Sequence, residues 1–197
     1  MDSLFSTIVA DPPWRVRGGP SWGGGPSRPL PYPTMSVDEI AALNVRHWAA
    51  PDSHLYLWTI NRYVEDAYRV ARAWGFTPST LLVWCKPVTG GGLGGTYRIS
   101  TEYVLFARRG QLTATEQIGQ SHFDWPRQRR HSQKPEAFLD MVERVSPGPY
   151  LELFARRARF GWEYAGNESL ATVDIDGMAH RAECPRCLTE HGSDDCP

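Results

Sequence analysis

Apolar residues along this chain recur in two periods, and the alternation between them predicts strands interleaved with helices. Ile8-Val9-Ala10 is a short apolar run that stops at Asp11, and His54-Leu55-Tyr56-Leu57-Trp58, Leu81-Leu82-Val83-Trp84 and Glu102 to Ala107 are further strand-like runs. Tyr150 to Ala155 and Phe160 to Ala165 close the series. Between them the period changes to that of a helix. Ser36-Val37-Asp38-Glu39 has the Ser-x-x-Glu form of a capping box, followed by Ile40, Ala41 and Leu43. Val64, Ala67, Tyr68, Ala71 and Trp74 fall on one face of a helix that runs from Asn61 and stops at Gly75. Pro135 suits the first position of a helix carrying Phe138, Met141, Val142 and Val145, closed by Ser146-Pro147-Gly148. Strands alternating with helices predict an α/β domain whose mostly parallel sheet is covered on both faces.

Two glycine-rich stretches interrupt the pattern. Arg15 to Pro33 forbids a helix or a central strand by composition and is expected to be a lid attached to the turn at Asp11. Thr89 to Gly95 lacks the Gly-Lys-Ser/Thr ending of a phosphate loop and is expected to be a second flexible loop. The polar segment from Arg108 to His131 has no period, and Arg127, Arg129, Arg130 and His131 form a basic cluster suited either to solvent or to phosphates.

Composition narrows the class. The chain has 197 residues, enough for one domain with a core, and its 41% hydrophobic and 22% charged residues are ordinary for a globular protein. With 21 Lys+Arg against 22 Asp+Glu, overall charge gives no argument for a polyanionic partner, so nucleic-acid binding must rely on local patches. No apolar run approaches the ~20 residues of a membrane span. The N-terminus lacks the charged region of a signal peptide, and the expected compartment is the cytoplasm. His47, His54 and His122 are expected to satisfy local hydrogen bonds, and Cys85 and the tryptophans at 48, 58, 74 and 84 to lie in the core.

Candidate chemistry concentrates at Asp11-Pro12-Pro13-Trp14. A strand ending at Asp11 leaves its carboxylate at the carboxyl end of a sheet, where open α/β proteins place ligands. Pro12 and Pro13 stiffen the turn and, lacking N–H groups, leave the two preceding carbonyls without intrachain donors. Trp14 adds a flat surface for stacking. Such a group suits a planar, amine-bearing ring, its NH2 held by carboxylate and carbonyl. The same four residues also suit a buried strand that ends in a proline-rich turn.

Three further segments add to this turn. They are Pro31-Tyr32-Pro33-Thr34-Met35-Ser36, then Ser132-Gln133-Lys134-Pro135, then Glu152-Leu153-Phe154-Ala155-Arg156 with Gly161-Trp162 and Gly166-Asn167-Glu168. In this order the four segments resemble the N6-adenosine methyltransferase family that writes m6A in messenger RNA and has bacterial and phage relatives. The resemblance implies a Rossmann-like, S-adenosylmethionine-dependent methyltransferase fold over residues 1–168, in a permuted order with the catalytic motif before the cofactor strand. It assigns Asp11, Pro12, Pro13 and Trp14 to catalysis, and Tyr32 and Lys134 to the substrate base. Ser132, Lys134, Glu152, Phe154, Arg156, Asn167 and Glu168 would hold the cofactor. Where the family carries a His-Asn pair after the arginine, this chain has Ala158 and Arg159.

The chemistry agrees with the resemblance. An aromatic amine has a delocalised lone pair and is a poor nucleophile, so acceptors on its N–H bonds and accurate positioning carry much of the rate. A duplex base must flip out or be presented on a single strand to reach such a pocket. The implied function is N6-adenine methylation, with DNA taken as the polymer by analogy with short bacterial and phage relatives. Alternatives are RNA N6-adenosine, cytosine N4, and a non-catalytic nucleic-acid-binding subunit of the same fold. No target-recognition domain is recognisable, which leaves room for a protein partner.

From Ser169 the chain turns polar, and residues 169–197 form a tail. There Cys184-Pro185-Arg186-Cys187 with His191 and Cys196 offers four zinc ligands, resembling a zinc knuckle. Incidental thiols are the other reading. Elemental analysis of purified protein separates the two: a bound metal gives one equivalent of zinc and thiols that titrate only after chelation, whereas incidental thiols titrate at once.

Overall fold

The computed structural model describes residues 4–15, 33–86, 96–97, 99–126, 134–156 and 158–165. Seven strands, β1 (Phe5–Ala10), β2 (Ala49–Thr59), β3 (Thr77–Cys85), β4 (Thr101–Arg109), β5 (His122–Phe123), β6 (Tyr150–Leu153) and β7 (Trp162–Ala165), form one sheet in the order β5-β3-β4-β2-β1-β6-β7. Pairs β1·β2, β1·β6, β6·β7 and β3·β5 are parallel, while β4 runs antiparallel to both neighbours, β2 and β3. The mostly parallel sheet expected from the sequence is therefore present, with one reversed strand inside it.

Side-chain alternation divides the core into two layers. Ile8, Ala10, Leu55, Leu57, Leu105, Ala107, Leu151 and Leu153 face helices α1 (Val37–Ala42), α2 (Val45–Trp48) and α3 (Val64–Ala73). Val9, Tyr56, Trp58, Val104 and Phe106 face α4 (Glu136–Val145) on the other side. Strands buried on both faces read as continuous apolar runs, which is why their existence was legible in the sequence.

Helix ends follow local chemistry. Ser36 caps α1 as expected: the Glu39 N–H donates to Ser36 Oγ at 3.3 Å, and the Ser36 N–H donates to the Glu39 carboxylate at 2.6 Å. A 3-10 turn at Asn61–Tyr63 precedes α3. The chain leaves α3 through Gly75, whose φ of 84° favours glycine, and the Phe76 N–H returns to the Ala71 carbonyl at 2.9 Å. Trp74 Nε1–H donates to the Ile40 carbonyl at 3.0 Å and ties α3 to α1.

Several boundaries differ from the sequence reading. Strand β6 ends at Leu153 because Phe154 turns to φ 62°, and β7 begins at Trp162 after Gly161 at φ 81°. Strand β5, inside the aperiodic polar segment, has two residues, too few for alternation to register. Trp58, Trp74 and Trp84 are buried as expected, whereas Trp48 and Cys85 are half-buried.

The C-terminal end of α4 is joined to the sheet by a buried polar chain. His54 Nδ1 lies 2.7 Å from Ser146 Oγ, Tyr56 Oη lies 2.8 Å from the same hydroxyl, and His54 Nε2 lies 3.1 Å from the Leu112 carbonyl. A carbonyl only accepts, so the Nε2–H donates to Leu112, leaving Nδ1 to accept from the Ser146 hydroxyl, which accepts in turn from Tyr56. His54 is fully buried, and burial, only partly offset by the Leu112 carbonyl, lowers its pKa from the ordinary 6.5. The neutral ring belongs to the folded state, so its contribution is intact above pH 6.5 and is lost as pH falls below that value toward the depressed folded pKa. Ser146→Ala leaves two buried groups without their partner and is expected to cost about 1–3 kcal/mol in denaturant unfolding. Unfolding followed from pH 8 to pH 5 is expected to show stability declining below pH 6.5 in the wild type, with a shallower decline in His54→Gln.

Candidate active site

The parallel strands β1 and β6 lie side by side, and the chain leaves them in opposite directions, toward β2 from β1 and toward β7 from β6. Their carboxyl ends therefore flank a topological switch point, the crevice where open α/β sheets bind ligands. Asp11 stands at that point. Ala10 is in register with Leu57 on one side and Leu153 on the other, and the Asp11 N–H reaches the Leu153 carbonyl at 3.4 Å.

The turn after Asp11 is closed by the chain itself. Trp14 N–H donates to the Pro12 carbonyl at 2.8 Å, and Met35 N–H donates to the Pro13 carbonyl at 2.9 Å. The Pro12 and Pro13 carbonyls thus each have one intrachain donor and retain a second lone pair for another partner. Trp14 is also placed differently from the open stacking surface that the sequence suggests. It is 5% exposed, its Nε1–H donates to the Trp58 carbonyl at 3.0 Å, and its ring stacks on Tyr63 at 5.2 Å.

Opposite the turn, Lys134 immediately precedes Pro135, the N-cap of α4, and its Nζ lies 2.8 Å from Asp11 Oδ2 and 3.4 Å from Glu102 Oε2. The other oxygen of Glu102 pairs with Lys86, so the charges alternate as Asp11, Lys134, Glu102, Lys86. The Lys134 ammonium also sits 5.0 Å from the centre of the Trp58 ring, and that of Lys86 sits 4.9 Å from the Trp84 ring. Only 19% of the Lys134 side chain and 17% of the Glu102 side chain are exposed. Burial alone would lower the Lys134 pKa, but Asp11 and Glu102 outweigh it and hold the value above that of an ordinary lysine. Burial likewise pushes Glu102 upward, and the two lysines overcome it to keep the carboxyl below its usual range.

Sequence reasoning found Asp11 and Lys134 but missed Glu102 and Lys86. A signal for Glu102 was present: it shares the period of Val104 and Phe106, so an acidic residue occupies an inward position of a buried strand. It lies directly across from Trp84 in the β3·β4 ladder.

On the β6 side, Glu152 shares the α4 face of the sheet with Tyr150, one residue from the turn at Phe154. A phenylalanine at φ 62° costs on the order of 1–3 kcal/mol, a strain that clusters at ligand sites. Arg156 follows in the loop after the Ala155 N–H, which donates to the Ala165 carbonyl at 3.1 Å. The switch-point crevice, the strained turn and the carboxylate at the end of β6 together fit the S-adenosylmethionine that the resemblance implies. Arg159 serves another purpose. Its guanidinium is 2.8 Å from Glu143, 2.7 Å from Asp140 and 3.5 Å from Glu136, all on one face of α4. Its pKa is raised, chiefly by the Glu143 hydrogen bond, and that of Glu143 is lowered.

Tyr32, Ser132, Asn167 and Glu168 lie outside the described residues, as do Cys184, Cys187, His191 and Cys196. So do both glycine-rich loops over most of their length and the basic cluster at residues 127–131. Among the described residues no group of His, Cys, Asp and Glu is arranged to hold a metal, and no helix is long and apolar enough to cross a membrane.

The chain is 29% identical over 188 residues to the Type II methyltransferase M.MunI of Mycoplasma sp, covering 83% of this chain and 77% of that protein. It is 31% identical over 181 residues to a putative N(6)-adenosine-methyltransferase MT-A70-like protein of Medicago truncatula, and 27% identical over 186 residues to the human N(6)-adenosine-methyltransferase catalytic subunit METTL3. These matches cover 85% and 89% of this chain but 27% and 30% of the longer relatives. Residues 5–168, nearly the whole described span from the first strand to the last, match the MT-A70 family, and the chain belongs to that family of methyltransferases.

Proposed function

We propose that the protein transfers a methyl group from S-adenosylmethionine to the N6 amine of adenine in DNA. The observation that carries this reading is the Asp11 carboxylate, paired with Lys134 at 2.8 Å and standing where the carboxyl ends of β1 and β6 diverge. DNA is taken as the polymer by analogy with the bacterial Type II methyltransferase M.MunI, to which the chain is 29% identical over 188 residues.

Bound in the crevice, S-adenosylmethionine supplies an electrophilic methyl on a sulfonium. The protein's task is to aim the amine. Asp11 accepts a hydrogen bond from one N6–H, and the second lone pair of a proline carbonyl accepts from the other, which favours a pyramidal nitrogen with its lone pair toward the methyl. Lys134 holds the Asp11 carboxylate in place through the 2.8 Å ion pair. Asp11 takes the proton that leaves nitrogen as the C–N bond forms and the methyl–sulfur bond breaks to leave a neutral thioether.

In this reading Asp11, Pro12, Pro13 and Trp14 make the catalytic turn, and Tyr32 and Lys134 address the base. Ser132, Lys134, Glu152, Phe154, Arg156, Asn167 and Glu168 hold the cofactor. A partner protein supplies target recognition.

Labelled methyl transfer to DNA and to RNA, followed by nucleoside digestion, tests the reading. N6-methyldeoxyadenosine is the expected product, and Asp11→Ala should abolish it. Label found in ribonucleosides or in N4-methylcytosine would replace the substrate, and equal incorporation by wild type and Asp11→Ala would remove the mechanism.

Glu102 gives a finer test. Glu102→Gln removes one of the two carboxylates that oppose the desolvation of Lys134, so the Lys134 pKa should fall. The turnover rate should drop on the order of ten- to a hundredfold through misplacement of Asp11. Its pH profile should acquire an alkaline limb below that of the wild type. A profile from pH 6 to 10 measured on both proteins reads this shift directly.

A further inference from the structure

Tyr63 belongs to no motif; it ends the 3-10 turn before α3, packs half-buried against the same core as Ala67, Ala71 and Trp74, and meets the catalytic turn twice. Its ring stacks on Trp14 with centroids 5.2 Å apart and planes 16° apart, and its hydroxyl donates to the carbonyl of Arg15. The Arg62 guanidinium lies 5.8 Å from the centre of the same ring. Tyr63 is itself fixed, because the 3-10 turn that carries it follows β2 directly and its N–H donates to the Ile60 carbonyl at 2.8 Å.

The contacts of Trp14 make this arrangement consequential. Its indole N–H is bound to the Trp58 carbonyl at 3.0 Å, so one ring edge is tied to the end of β2 while Tyr63 covers a face. Residues 14 and 15 are therefore both referred to the segment after β2, and residue 11 is referred to β6 through the Leu153 carbonyl. The two prolines between them have fixed φ, so holding both ends of the turn fixes the direction of the Pro12 and Pro13 carbonyls. We infer that Tyr63 is a positioning residue for methyl transfer, acting through Trp14 and the Arg15 carbonyl to set the geometry of the catalytic turn.

The inference rests on the catalytic reading of Asp11, and it separates two contributions that one substitution would merge. Tyr63→Phe keeps the ring stack and removes the hydroxyl; Tyr63→Leu removes both. Because Tyr63 contacts Trp14 and Arg15 and the proposed cofactor residues Glu152, Phe154 and Arg156 lie at the end of β6, binding of S-adenosylmethionine should not follow the turn. The expected pattern is a kcat lowered about threefold in Tyr63→Phe and about tenfold or more in Tyr63→Leu, with the dissociation constant for S-adenosylmethionine unchanged within about twofold. Tyr68→Phe, five residues further on in α3, should match the wild type.

A second readout needs no turnover. The Nε1–H resonance of Trp14, assigned among the 8 tryptophans by its loss in Trp14→Phe, should shift and exchange faster with solvent in Tyr63→Leu. An unchanged Trp14 resonance in Tyr63→Leu overturns the inference. So does a kcat within about twofold of the wild type, or a fall in kcat matched by an equal loss of cofactor binding. A displaced resonance in a protein whose wild type methylates neither DNA nor RNA leaves Tyr63 as the anchor of the turn and rejects the proposed reaction instead.

Discussion

Removing the Lys134 ammonium from water costs several kcal/mol unless carboxylates meet it, and the fold delivers two of them from different strands. Asp11 arrives from the end of β1 and Glu102 from the start of β4. The second arrival depends on the reversed strand. Because β4 runs antiparallel to β2 and β3, its first residues lie at the same edge of the sheet as the last residues of β1, β2 and β3. A parallel strand in that place would carry Glu102 to the opposite edge and leave Lys134 with Asp11 alone. The alternating chain of four charges is neutral overall, so the site holds two fixed carboxylates without a large net field.

The same interaction locates α4. Its N-terminal end is fixed through Lys134, and its C-terminal end through Ser146, whose hydroxyl joins His54 and Tyr56 of β2. Between these ends, Glu136, Asp140 and Glu143 recur at one helical face and converge on Arg159 from the loop between β6 and β7. Trp162 Nε1–H adds a 2.7 Å bond to Glu143. One helix thus connects Lys134 to the strand β2 and to the loop between β6 and β7, by polar contacts at three points along its length. Apolar packing of Phe138, Leu139, Met141 and Val142 supplies the burial, and these contacts choose the register in which it occurs.

Much of this was legible in the sequence where period and local chemistry agree. The buried strands, the Ser36 capping box and the face of α3 could be read from spacing, and Asp11 and Lys134 were singled out by family resemblance, though their ion pair was not. What was not legible depends on which strands become neighbours. Glu102 and Lys86 acquire meaning only once β3 and β4 pair and bring Trp84 opposite Glu102. Tyr63 became visible only through Trp14, 49 residues earlier in the chain, because a stack between distant rings leaves no trace in either local pattern. The open indole expected at Trp14 failed for the same reason. Its fate was decided by the carbonyl of Trp58, on the neighbouring strand.

Arg159 shows how a departure from a family pattern gains a physical reading. A lone arginine in place of a polar pair would suggest an altered contact with cofactor, since both sit after the cofactor strand. Here the guanidinium is taken up by three carboxylates of α4 at 2.7 to 3.5 Å, a bidentate pair with Glu143 among them. Drawing it toward a ligand would strand those carboxylates beside one another on one helix face, so the arrangement favours Arg159 as a clamp on the loop. The consequence reaches Phe154, whose φ of 62° persists only if the surrounding chain holds it. The loop that begins at this strained residue is tied at its far side by Arg159 and on its near side by the bond from Ala155 to Ala165. The strain and the clamp therefore belong to one loop, which is held at both sides where β6 ends beside Asp11.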